Sequence, residues 1–155
     1  MRRMRNPVQR LGKFLRLPAA DRDLLIKSFL LIGGVRLGLW LLPFLTLRRL
    51  LTAMMKPNTG KSRGEGAFAD KVAWAVTVSS RYVPAATCLT QAFATQVLLN
   101  RHGLPARLRI GVVKGKDGRL QAHAWVESNG VIVIGGAGPD VERYKPLLAL
   151  DEAVL

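Results

Sequence analysis

Asp117-Gly118 and Asn129-Gly130 bracket the alternating segment Leu120-Gln121-Ala122-His123-Ala124-Trp125-Val126-Glu127, and that arrangement leaves the chain few choices. Asp-Gly and Asn-Gly supply the positive backbone φ values that short hairpin turns demand, so a strand is expected on each side of each turn. Residues 106–114 alternate, with Leu108, Ile110 and Val112 on one face and Arg107 and Arg109 on the other. Residues 119–127 alternate again. Leu120, Ala122, Ala124 and Val126 face one way, while Gln121, His123, Trp125 and Glu127 face the other. Residues 131–134, Val-Ile-Val-Ile, are the return strand. Three antiparallel strands with one apolar face need a cover.

That cover is read from residues 88–102, CLTQAFATQVLLNRH. Leu89, Ala92, Phe93, Val97 and Leu99 supply an apolar stripe, Arg101 and His102 occupy the last turn, and Gly103 with Pro105 closes the helix. His102 reads as a C-terminal residue favoured by the helix dipole, and Gln91 as a residue that solvates the helix. Residues 67–81 suit a second helix with Phe68, Val72, Ala75 and Val76 on one side. The single cysteine of the 155-residue chain, Cys88, falls at the start of the first of these helices. A helix N-terminus favours thiolate, the reactive form of cysteine, and a histidine can take its proton and return it to a leaving group. The plain alternative is a small buried apolar residue.

Composition excludes other chemistry. One cysteine rules out an internal disulfide and fits a reducing compartment, hence a cytoplasmic protein. Two histidines and one cysteine cannot close a zinc site of four N/S ligands, so no metal or cofactor is expected. Gly60-Lys61-Ser62 has the tail of a phosphate-binding loop, but lacks its upstream glycine and a preceding strand.

The net charge of +14 is unevenly placed: residues 1–63 hold 14 Lys and Arg against Asp21 and Asp23, so +12, while residues 64–155 carry +2. Residues 1–20 are a basic segment interrupted by Pro7 and Pro18, residues 21–55 a helical region, residues 56–66 a Pro/Gly/Ser-rich linker, and residues 67–155 the main domain. The helical region opens at Ala20-Asp21-Arg22-Asp23, with Asp21 or Asp23 placed to cap it or to favour its positive end. Residues 28–47 contain one charge, Arg36, which raises the question of a membrane span. Arg36 at the bilayer centre would cost a few kcal/mol, and Gly33, Gly34, Gly38 and Pro43 interrupt the segment. Lys27 and Arg36, nine positions apart, lie about 180° apart on a helix and spoil a clean amphipathic face. The expectation is two helices, broken near Leu42-Pro43 and buried against the domain, with peripheral membrane contact as the alternative. No small-residue cleavage site follows the apolar run, which argues against a secretory signal.

Cys88 heading CLTQAFATQVLLNRHGLPA, then QAHAWVE and a turned strand ending Ile134-Gly135-Gly136, resembles the transglutaminase-like superfamily of papain-type cysteine enzymes. Within it the chain is similar to the small protease component of lasso-peptide biosynthesis, including the apolar, Arg-bearing N-terminal helices, over roughly residues 22–150. The resemblance implies an α+β fold: a Cys-bearing helix packed on a small antiparallel sheet, preceded by apolar, basic N-terminal helices. It implies a cysteine endopeptidase that cuts the leader from a ribosomally made precursor peptide. Its usual companions are a small leader-recognition protein and an ATP-dependent macrolactam cyclase.

Carried onto this sequence, the resemblance makes Cys88 the nucleophile and His123 the general base and acid. Trp125 beside His123 is a candidate to shield the pair and contact substrate; the alternative is a core tryptophan. The third member departs from the family pattern, which expects an Asp on the strand after the histidine to orient its ring. A two-residue turn at Asn129-Gly130 pairs His123 with Gly136, so Gly135-Gly136 stands where that carboxylate is expected. Glu127 shares the His123 face, but four residues along a strand is about 13 Å, too far for a hydrogen bond. Asp140, reached through the GGAGP stretch, is the candidate orienter; a backbone carbonyl or a water is the alternative. Two rival functions remain open: a non-catalytic scaffold that docks a partner through the basic N-terminal region, and a membrane-peripheral module. Nucleic-acid binding is not expected, because no basic strand studded with aromatics or recognition helix is evident.

Overall fold

The computed structural model describes residues 12–55, 65–136, 141 and 143–146. After a helical stretch at residues 12–15, four helices follow: α1 (Ala19–Leu41), α2 (Phe44–Ala53), α3 (Glu65–Ser80) and α4 (Cys88–Arg101). The strands are β1 (Arg107–Lys114), β2 (Leu120–Ser128), β3 (Val131–Ile134) and β4 (Lys145–Pro146), in the sheet order β3-β2-β1-β4. The fold is α+β, as the resemblance implies.

The break between α1 and α2 falls at Leu42-Pro43. Leu42 is extended (φ −119°, ψ 147°), the backbone that a following proline imposes, and its N–H closes onto the Gly38 carbonyl at 2.8 Å. No side chain caps α1. Asp21 instead sits in the first turn, where it favours the positive helix end, and accepts from Lys71 of α3 at 3.0 Å, while Asp23 pairs with Lys27. One face of α1, carrying Leu24, Leu25, Ile32 and Val35, is buried in the common core. Ser79 of α3 ties to it by donating to the Leu25 carbonyl at 3.2 Å.

α4 is the centre of that core. Phe93, Val97 and Leu99 are almost fully buried, and the Phe93 ring meets Phe44 of α2 at 5.9 Å. Thr87 caps the helix, its Oγ1 accepting the Thr90 N–H at 3.4 Å. At the other end Gly103 turns at φ +79°, which lets the Leu104 N–H reach the Leu99 carbonyl. His102 spends its Nδ1–H on the Leu98 carbonyl at 2.8 Å and packs on Phe68, a structural role. On the sheet side Leu108, Ala124 and Val126 complete the core, so the apolar face read from the alternation is the face α4 covers.

Both turns form as their residues dictate: Gly118, Asn129 and Gly130 all have positive φ. β4 is the strand sequence reading missed. It is two residues long and pairs only with β1, Gly111 with Pro146 and Val112 with Lys145. Its proline places it at a sheet edge, where no further partner is needed.

Because α4 packs against every other part of the core, Phe93→Ala should cost about 3–5 kcal/mol. A urea titration followed by far-UV circular dichroism will measure it, and a loss under 1 kcal/mol would contradict this packing.

Candidate functional site

β2 is hydrogen-bonded to a neighbour on both edges, which fixes which of its side chains point where. Ala124 and Val126 enter the core, and His123 and Trp125 therefore stand on the opposite face. The cross-strand neighbour of His123 is Gly111, which has no side chain. A Cβ there would sit 2.7 Å from Tyr144 Cβ and 3.0 Å from the Trp125 ring, so the glycine lets both aromatics close over β1. The His123 ring neighbours both, 6.4 Å from Trp125 at an interplanar angle of 21° and 5.2 Å from Tyr144 at 34°.

Trp125 is buried, and its indole N–H is satisfied by Glu127 Oε1 at 2.9 Å. The second oxygen of Glu127 accepts from Arg109 Nε at 3.3 Å. Glu127 thus does not orient His123, in agreement with the strand spacing. It holds the tryptophan that stacks on the histidine, and Arg109 across the strand holds Glu127.

The ring of His123 is oriented by backbone. Its Nε2 donates to the carbonyl of Gly135. A carbonyl only accepts, so Nε2 carries a proton, and in the neutral ring Nδ1 then holds the lone pair that a general base needs. The expected pairing of His123 with Gly136 is corrected by a β-bulge. Ser128 pairs with Val131 and Glu127 with Ile132, but Val126 pairs with Ile134, so Val133 is the extra residue. Gly135 has φ +81°, and a Cβ on it would lie 2.9 Å from Trp125 Cα. The position at which sequence reading missed a carboxylate accepts only glycine here, and its main chain contacts the histidine. Asp140, the candidate orienter, lies outside the described residues.

His123 opens onto a solvent-connected cavity of about 960 Å³. Gln121, Gly135, Gly136 and Tyr144 line it from the sheet, and Ala73, Thr77 and Gln91 from α3 and α4. Gln91, read from sequence as a solvating residue, is half-buried and shares this cavity with the histidine. Cys88 lies one helical turn earlier, at the first position of α4, half-buried against the edge of the core. Among the described residues its thiol makes no hydrogen bond, and the cavity wall includes Gln91 rather than Cys88 itself. Thr87 takes the Thr90 N–H through its side chain and the Gln91 N–H through its carbonyl at 3.1 Å. The Cys88 and Leu89 N–H groups remain as first-turn donors without an acceptor inside the helix.

Among the described residues no group of three or more His, Cys, Asp or Glu side chains could hold a metal ion. Tyr144 and the Gly135 carbonyl had no sequence signal. One reaches the site from the β4 segment, and the other acts through an atom every residue has.

Residues 29–149 match the family model described as transglutaminase-like superfamily. The chain belongs to that superfamily. No curated protein and no solved structure compared with it gives a match. The transglutaminase-like match begins inside α1 and so takes in α2 as well as the helix-on-sheet unit. Such proteins are typically cysteine peptidase-like or transferases, which is the chemistry a thiol at a helix start and a histidine suit.

Two-bond ¹H–¹⁵N correlation spectra of the imidazole will show His123 as the Nε2–H tautomer. Gly135→Ala, which forces the backbone away, should mix the tautomers and lower turnover at least tenfold; an unchanged spectrum would contradict the assigned contact.

Proposed function

We propose that this transglutaminase-like chain is a cysteine endopeptidase that removes the leader from a lasso-type precursor peptide, with Cys88 as nucleophile and His123 as base and acid. The observation that carries the reading is the Nε2–H bond to Gly135, which in the neutral ring puts the lone pair on Nδ1, with His123 lining a cavity large enough for a peptide segment. In the proposed reaction His123 Nδ1 takes the Cys88 proton and the thiolate attacks the scissile carbonyl. The carbonyl oxygen gains negative charge, and in this scheme the spare Cys88 N–H at the start of α4 receives it. His123 returns the proton to the departing amine as the C–N bond breaks, leaving a thioester on Cys88. Water, deprotonated by the same nitrogen, then releases the leader acid and regenerates the thiol.

Gly135 in this scheme does the work expected of the missing aspartate, as a dipole rather than a full charge. A neutral acceptor stabilises the imidazolium less than a carboxylate would, so in this scheme the Cys88 thiolate is the main partner of the imidazolium charge. The lasso-type reading brings its partners with it: a small leader-recognition protein that presents the precursor, and an ATP-dependent cyclase that consumes the freed core peptide. The proposed place of action is the cytoplasm.

Incubation of precursor with recognition protein and enzyme, followed by mass spectrometry, tests this. Cys88→Ala should abolish cleavage, and His123→Ala should lower it by about 10²–10⁴-fold, the range of a general base. Equal cleavage by wild type and Cys88→Ala would sink the mechanism. Adding a primary amine decides between water and amine as acyl acceptor: a peptidase yields the free acid, and an amide product in its place would make the chain a transferase.

A further inference from the structure

The face of α1 that does not enter the core is as apolar as the face that does. Ile26, Phe29, Leu30, Leu37, Trp40 and Leu41 are all exposed, Leu30 at 64 % and Trp40 at 76 %. At about 100° per residue they fall within roughly 60° either side of Ile26, a single stripe. The stripe runs the length of the 23-residue helix and continues past the Pro43 break onto Leu45, which is also exposed. Isolated exposed leucines on a protein surface need no explanation, but a continuous stripe of this kind marks a contact.

Charge identifies the occupant. By the same geometry Lys27 and Arg36, which spoil an amphipathic reading of the sequence, lie about 100° to one side and 80° to the other of Ile26. They sit at the two borders between buried and exposed faces, where long cationic side chains can reach headgroups while their stems cover apolar surface. Lys27 is paired with Asp23, but Arg22 lies near the start of the stripe and Arg48 and Arg49 follow on α2. Ahead of them the chain adds Arg2, Arg3, Arg5, Arg10, Lys13 and Arg16, within a region that carries 14 Lys and Arg against two acidic residues. A second copy of the chain would bring this cationic border against itself. An anionic lipid surface complements it.

We propose that α1 lies flat on an anionic phospholipid bilayer, with Leu30, Leu37 and Trp40 inserted at the headgroup boundary and the arginines on the lipid phosphates. α1 is long and apolar enough to cross a membrane, yet its other face holds Leu24, Leu25, Ile32 and Val35 in the core. Lying on the surface keeps that core intact, whereas spanning would strip it. This surface is independent of Cys88 chemistry, so its test is too.

The full-length protein is to be floated with vesicles of phosphatidylcholine alone or with 30 % phosphatidylglycerol. Binding to the anionic vesicles should be at least tenfold tighter, weaken with salt, and fall at least tenfold in L30E/L37E. In vesicles with brominated acyl chains the tryptophan emission should be quenched, and Trp40→Phe should remove that quenching without any added charge. Circular dichroism melts establish that each variant is folded. Absence of binding to anionic vesicles, or unquenched emission from Trp40, would overturn the proposal. So would a wild-type dimer in light scattering that L30E/L37E converts to monomer, because the stripe would then be a self-interface.

Discussion

The alternation of β2, pinned between β1 and β3, is the constraint on which the other features rest. A strand paired on both edges cannot rotate, so the choice of Ala124 and Val126 for the core sends His123 and Trp125 to the far face. A one-residue slip would bury an imidazole and an indole N–H against Phe93 and Val97 and expose the small residues. Hydrophobic packing on α4 and the placement of the site are therefore one decision. Gly111, opposite His123, belongs to the same decision, because any side chain there would push Trp125 and Tyr144 off the strand.

The site replaces a side chain with main chain. An aspartate facing the histidine would stabilise the imidazolium with a full charge, but it would need a Cβ at a position where the neighbouring Trp125 backbone allows none. Gly135, at positive φ, turns its carbonyl to Nε2 instead, from the chain that follows the bulge at Val133. The contact fixes ring orientation and tautomer, which are geometric tasks that a dipole performs as well as a charge. The chain Arg109–Glu127–Trp125 meanwhile fixes the buried indole beside His123.

What could be read from sequence was whatever depends on local backbone rules. Asn129-Gly130 and Gly118 have the positive φ their residues call for, and the capped, striped helix after Thr87 forms where its pattern places it. The faces of β1 and β2 follow from period two alone. The bulge was not legible, because Val131-Ile132-Val133-Ile134 contains nothing that marks one residue as extra. β4 was not legible either, since two residues with a proline carry no period, and Tyr144 came to the site with it. The cavity that Gln91 shares with His123 was not legible, because a helix position shows its neighbour only once the sheet is docked.

The apolar run of α1 shows a different limit. Mean hydropathy reports how apolar a segment is but not where each side chain goes, and here the residues divide into two stripes with different partners. Leu24, Leu25, Ile32 and Val35 are committed to the fold, so their faces cannot also meet lipid or another chain. The remaining stripe costs the isolated protein solubility and gives its core nothing, a burden more easily understood if the face has a use. Gly33 and Gly34 flank the middle of that exposed stripe and meet no neighbouring atoms within 4 Å, so close packing inside this molecule does not account for them. A glycine pair weakens a helix by about 1 kcal/mol per residue relative to alanine. The helix is held despite them by its buried stripe. Docking on a broad, soft surface would ask only for the leucines and the tryptophan that stand proud of the glycines, which is the relief that α1 presents.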